Sequence, residues 1–142
     1  MTDKVLLIDD EKDFLDALAE RMRTRDIDVT ESTSAKDALK KVGTESYDAV
    51  VLDLQMPEMD GLEALKILLA KDPKLQVILL TGHATVQKGV EAMKLGAMEL
   101  LEKPANFDTL MARIKQARAR RMVLVSKESE EHIKKILSDK GW

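Results

Sequence analysis

Short runs of aliphatic residues alternate along this chain with stretches in which apolar side chains recur every three or four positions. Val5–Ile8, Ala49–Leu52 and Val77–Leu80 are near-continuous apolar tetrads, each followed by a polar residue. Such runs read as buried strands. Ile27–Thr30 and Met98–Leu101 read as two further, weaker strands. Between them lie helical patterns. Phe14, Leu15, Leu18, Ala19 and Met22 mark the first. Ala35, Ala38, Leu39 and Val42 mark the second, with Ser34 as its cap and Gly43 as its stop. Leu62, Leu65, Ile67, Leu68 and Leu69 make the third, closed before Asp72-Pro73. Val86, Val90, Met93 and Leu95 make the fourth, ended by Gly96. Phe107, Leu110, Met111 and Ile114 begin the fifth.

Five strand–helix units in series predict a parallel sheet covered on both faces. An eight-unit barrel needs roughly 200 residues or more, and the chain has 142. An open, doubly wound α/β sheet of five strands is therefore expected. Residues 105–142 exceed what one covering helix requires. Met122–Val125 are apolar, and Ile133, Ile136 and Leu137 continue at helical spacing, which predicts an extended or broken C-terminal helix. These residues are open to two readings, a homodimer contact or a return onto the domain. Arg113, Lys115, Arg118, Arg120 and Arg121 form a basic stretch with no acids nearby in sequence, read as a solvated helix face. Phe14, Leu15 and Leu18 are read chiefly as core, with an exposed docking patch for a partner as the alternative for some of them.

Composition narrows the function classes. Hydrophobic residues make up 44% and charged residues 35%, enough for a core on a soluble domain. A net charge of −3 makes direct nucleic-acid binding an unlooked-for role. The absence of cysteine excludes a disulfide scaffold, a thiolate nucleophile and cysteine-ligated metals. Two histidines, His83 and His132, exclude a histidine-rich metal site. No signal peptide is visible and no apolar run approaches the roughly 20 residues that span a bilayer. A cytoplasmic protein without a membrane segment is expected.

In open α/β sheets ligands sit beyond the C-terminal strand ends. The residues at those ends are Asp9 and Asp10, Asp53, Thr81 and Lys103. Any one of them alone reads as a turn or cap residue. All of them at successive strand ends point to one pocket. Carboxylates about 4 Å apart repel by about 4 kcal/mol at an effective dielectric near 20, so the cluster must hold a proton or a cation. Carboxylate oxygens without His or Cys favour Mg2+. Carboxylates, Mg2+, an ammonium and a hydroxyl together neutralise a phosphoryl group, and an Asp at a strand end can be its nucleophile.

The segments Val5-Leu-Leu-Ile-Asp-Asp-Glu11, Val51-Leu-Asp-Leu-Gln-Met-Pro-Glu-Met-Asp-Gly61, Leu80-Thr-Gly-His83 and Gly96-Ala97 with Glu102-Lys-Pro104 resemble the receiver domain of bacterial two-component response regulators, over about residues 4–122. The resemblance implies a CheY-like, flavodoxin-like (βα)5 fold, with residues 1–122 as the receiver and 123–142 as a helical extension. It implies that Asp53 is the phosphoacceptor. Asp9, Asp10, Asp53 and the backbone carbonyl of Gln55 would bind Mg2+, with Mn2+ as a substitute. Lys103 would pair with the phosphoryl group and Thr81 would hydrogen-bond it. Pro57, Asp60 and Gly61 would shape the loop after the acceptor, and a cis bond would precede Pro104. Gln55 and His83 would flank the phosphoryl group. One departure stands out: the family's aromatic residue three positions before the lysine is Leu100 here.

The implied donor is a sensor histidine kinase or a histidine phosphotransfer protein, and the implied output is binding of a downstream protein in trans. The protein would be a signalling phosphoacceptor and not an enzyme. Alternatives are the receiver portion of a larger transcriptional regulator and a non-phosphorylated scaffold. An aspartyl phosphatase is disfavoured, because Gln55 stands where a second, proton-donating Asp is needed.

Overall fold

The computed structural model describes residues 2–82 and 86–139. Ten elements alternate: β1 (Lys4–Ile8), α1 (Lys12–Arg23), β2 (Asp28–Ser32), α2 (Ala35–Thr44), β3 (Ala49–Leu52), α3 (Gly61–Lys71), β4 (Val77–Thr81), α4 (Val86–Leu95), β5 (Glu99–Glu102) and α5 (Phe107–Asp139). The strands form one parallel sheet in the order β2-β1-β3-β4-β5. Between β3 and α3 a small antiparallel ladder pairs Gln55 with Asp60 and Met56 with Met59.

Alternation along the strands divides the core in two. Val5, Leu7, Val51, Ile78 and Leu80 face α1 and α5, against Leu15, Ala19, Met22, Leu110, Met111, Ile114 and Ala117. Leu6, Ile8, Val50, Leu52, Val77 and Leu79 face the other way, toward Ala38, Val42, Ala64, Leu65, Leu68 and Ala92. Because both faces are covered, β1, β3 and β4 are apolar at nearly every position. Leu15 is buried as expected, whereas Phe14 and Leu18 pack only partly into the same layer.

Several boundaries differ from the pattern-based reading. The second strand begins at Asp28 and runs to Ser32, because it pairs with the whole of β1. The fifth strand is likewise shifted one residue on, since Glu102 pairs with Thr81. Gly43 does not stop α2; the helix continues through it to Thr44, while Ser34 caps the start by accepting the Asp37 N–H at 3.1 Å. Gly61 lies at the first position of α3, where the Asp60 side chain caps the helix. In α4 the apolar face is largely bare: Val86, Val90 and Met93 are exposed, and Ala92 is the buried contact. Gly96 does end α4, in the left-handed region at φ +106°.

The fifth helix is unbroken over 33 residues, about 50 Å at 1.5 Å per residue. Its basic stretch is not simply solvated. Arg113 Nε lies 3.0 Å from Glu99, Arg118 Nη1 2.9 Å from Asp3, and Arg121 Nη1 2.9 Å from Asp72. The partners are distant in sequence, so the linear reading could not see them. Among the described residues, no helix is long and apolar enough to cross a membrane.

Candidate functional site

The site is made where parallel strands stop. Each central strand gives up its apolar pattern at one level of the sheet. The main chain stays tied there by bonds from Asp9 N–H to the Ser32 carbonyl (3.1 Å), Asp53 N–H to Ile8 (3.0 Å) and Lys103 N–H to Thr81 (2.7 Å). Asp9, Asp53, Thr81 and Lys103 therefore sit on the sheet itself, at its rim, and not on loose loops. Asp9, Asp53 and Thr81 are buried, whereas Asp10 is exposed.

Three carboxylates converge. Asp9, Asp10 and Asp53 each offer an oxygen, and these oxygens lie within 4.8 Å of one another. The Lys103 ammonium reaches over them, 2.8 Å from Asp9 Oδ2, 3.5 Å from Asp53 Oδ2 and 3.7 Å from Glu11 Oε1. The other oxygens are held by the main chain: Glu11 N–H donates to Asp9 Oδ1 at 2.9 Å and Gln55 N–H to Asp53 Oδ1 at 3.0 Å. The sequence-predicted site residues Asp9, Asp10, Asp53 and Lys103 are thus brought together. Thr81 ends β4, the strand beside β3, and Gln55 follows Asp53 by two residues. His83 lies outside the described residues.

Burial pushes the Asp53 carboxyl above the ordinary value, and the charge of Asp9 adds to this. The Gln55 N–H and Lys103 oppose the shift without cancelling it. For Lys103, burial alone would lower the ammonium, but the hydrogen bond to Asp9 and the charges of Asp9, Asp53 and Glu11 outweigh it and raise the group. The pocket is therefore short of positive charge. One ammonium is shared unequally among several carboxylates, favouring Asp9 over Asp53 by distance.

The loop after Asp53 is fixed by a close approach. The Gly61 N–H donates to the Leu54 carbonyl at 3.1 Å. A Cβ on Gly61 would fall 2.3 Å from Leu54 Cα. The peptide between Lys103 and Pro104 is cis, as expected. Two neighbours of Lys103 were not assigned to it from the sequence. Glu11 joins the lysine's acidic shell, and the Phe14 ring centroid lies 4.2 Å from Lys103 Nζ, in cation–π contact. Helical periodicity favours the core for Phe14, with an exposed patch beside the site as the alternative; its ring packs partly into that layer and meets the lysine at its edge. Leu100, at the aromatic position, is half-buried on β5 and touches α4 where Gly89 has no side chain.

This fold and pocket define an open, doubly wound α/β domain with an acidic, lysine-bridged site at its strand ends. Comparison with known proteins makes the class specific. Residues 5–115 match the family described as the response regulator receiver domain, and the chain belongs to that family of signalling phosphoacceptors. It is 35% identical over 115 residues to the transcriptional regulatory protein ZraR of Escherichia coli, covering 81% of this chain and 26% of that protein. It is 33% identical over 125 residues to the C4-dicarboxylate transport transcriptional regulatory protein DctD of Rhizobium meliloti, covering 88% and 27%. A receiver domain structure from Clostridium thermocellum superposes with a TM-score of 0.81 at 31% identity, covering 86% of this chain and 98% of that one. The chain spans about a quarter of the length of these curated relatives.

Proposed function

We propose that Asp53 accepts a phosphoryl group and that this changes which proteins the domain binds. The observation that carries the reading is the convergence of Asp9, Asp10 and Asp53 within 4.8 Å beneath one shared lysine. Three hard oxygen donors with too little positive charge suit a hard divalent cation. Asp9, Asp10, Asp53 and the Gln55 carbonyl would hold Mg2+, with Mn2+ as a substitute. The cation supplies charge neutralisation at the phosphoryl oxygens when bound.

The chain's own residues do the rest. The Asp53 Oδ1 is held by the Gln55 N–H, which leaves Oδ2 to attack phosphorus. The P–N bond of a phosphohistidine donor breaks as the O–P bond forms, and the electron pair stays on the imidazole nitrogen. Lys103 transfers part of its attention from Asp9 to the new phosphoryl oxygens, and the Thr81 hydroxyl supplies a hydrogen bond from the next strand. Gln55 stands where a general acid would be needed for rapid ester turnover, so a signalling acceptor fits better than a phosphatase.

The donor is a sensor histidine kinase or a histidine phosphotransfer protein, in the cytoplasm. Residues 1–122 act as the receiver and 123–142 as its helical extension. Output is binding to a protein partner in trans. The likeness to ZraR and DctD, each about four times as long as the matched part, favours a second reading: this segment works as the receiver portion of a transcriptional regulator. Beryllofluoride, which mimics a phosphoryl group, tests the site in the presence of Mg2+. Saturable binding by the wild type and none by Asp53→Asn supports the reading. Equal binding by both contradicts it.

A further inference from the structure

We infer that Phe14 is a positioning residue for Lys103: its ring holds the ammonium over the acidic pocket while the lysine changes partners from Asp9 to a phosphoryl group. The role rests on the phosphoacceptor reading of Asp53. Phe14 is the third residue of α1. The next residue, Leu15, is buried. Phe14 itself is half-buried, at the edge of the layer that holds Leu18, Leu101, Ala105 and Phe107. An aliphatic side chain would serve that packing equally well, as Leu18 does one turn later. It would lack the negative ring face. The Lys103 ammonium lies over that face, 4.2 Å from the centroid.

Lys103 has a choice of positions. Its flexible stem carries a compact, strongly hydrated charge. Asp9 draws that charge at 2.8 Å and Asp53 at 3.5 Å, both inside the pocket. Glu11 draws it at 3.7 Å from outside, because the Glu11 side chain is 67% exposed against 14% for the lysine. Water and Glu11 therefore pull the ammonium outward, and the two aspartates pull it inward. The inward pull of Asp9 and Asp53 weakens once their oxygens hold a divalent cation, whereas the pull of the ring remains. The ring also fixes no direction for the N–H donors. The ammonium can thus turn from Asp9 Oδ2 to an incoming phosphoryl oxygen without leaving the ring.

Two consequences of opposite sign follow. A lysine already held in place needs no reordering when phosphoryl oxygens arrive, so the ring favours phosphoryl binding. The same lysine crowds the cation site, because it repels a second positive charge and occupies Asp9 Oδ2. Replacing the ring by an aliphatic side chain lets the ammonium swing out toward Glu11. Phosphoryl binding should then weaken, and binding of the metal alone should tighten. General loosening of the domain would weaken both.

Two titrations of the whole chain read this split. Beryllofluoride at saturating Mg2+ is followed by fluorine NMR, and Mn2+ alone by the EPR signal of the free ion. Phe14→Leu should bind beryllofluoride about three- to tenfold more weakly and Mn2+ about two- to threefold more tightly. Phe14→Tyr, which keeps the ring, should hold both constants near those of the wild type. Leu18→Ala removes packing from the same layer and should move neither. In proton NMR spectra the Lys103 ε-methylene signal, identified by its loss in Lys103→Arg, should lie upfield in the wild type and in Phe14→Tyr. It should move downfield in Phe14→Leu. Weaker binding of both ligands by Phe14→Leu, no change in either, an equal loss in Phe14→Tyr, or an unmoved ε-methylene signal would overturn the role of Phe14. A wild type that binds no beryllofluoride would contradict the phosphoacceptor reading instead, and the Mn2+ constants and the ε-methylene shift would still decide whether Phe14 holds the lysine.

Discussion

Replacing Gly61 by Ala sets two physical effects against each other at the residue that opens α3. Helix propensity and the reduced freedom of the unfolded chain favour Ala by about 0.5–1 kcal/mol. The structure opposes it. The added Cβ would lie 2.3 Å from Leu54 Cα, 2.5 Å from its carbonyl oxygen and 2.7 Å from its carbonyl carbon. Carbon atoms pack best at about 3.5–4.0 Å, so one backbone segment must move by more than about 1 Å. All three obstacles are main chain, and no side chain can turn aside. Overpacking of this kind costs about 1–3 kcal/mol, and losing the Gly61 N–H bond to Leu54 adds about 1 kcal/mol. The net loss should be about 2–3 kcal/mol, or about 8 °C in Tm for a domain of this size. Leu54 directly follows Asp53, so the displacement should also slow phosphorylation. Gly43 is the control: it lies inside α2, and a Cβ there meets nothing nearer than Lys71 Nζ at 3.7 Å. Thermal melts of both variants decide the matter. Gly61→Ala should melt lower and Gly43→Ala slightly higher than the wild type; a raised Tm for Gly61→Ala would refute the reasoning.

Other expectations concern charge and anchoring. Burial raises the Asp53 carboxyl above its ordinary 3.8, so folding favours its protonated form, and the ionised form weakens the fold at every pH above the raised value. Asp53→Asn should therefore be more stable than the wild type at pH 7, by about 1 kcal/mol, with the gain fading toward pH 4; denaturant melts across that range check the sign. Removing the guanidinium in Arg121→Ala should cost about 1–2 kcal/mol through its lost bonds to Asp72 and Ser46. It should also speed amide exchange around residues 118–128, whereas unchanged exchange would mean that the helix root is held otherwise.

The central strands were legible because burial on both faces leaves a run of aliphatic residues that no surface strand shows. The site was legible for a related reason: Asp9, Asp53, Thr81 and Lys103 interrupt those runs at one level, and the parallel topology converts four distant positions into one rim. The edge strands were read less well. Their half-buried residues carry a weaker pattern, and the extent of β2 is set by its pairing with β1. Pairings across space were invisible. Arg118 with Asp3 and Arg121 with Asp72 turn an apparently solvated basic stretch into an anchored one. Phe14 answers to both readings: the helical spacing that buries Leu15 packs it partly into the same layer and carries its ring to the edge of the pocket, beside the Lys103 ammonium.

The most direct test of the account is the intact mass of the protein after incubation with Mg2+ and acetyl phosphate, run beside Asp53→Asn and a chelator control. The account predicts a single phosphoryl adduct on the wild type, absent with chelator and absent from Asp53→Asn. An adduct of equal yield on Asp53→Asn would contradict the assignment of Asp53 as the acceptor.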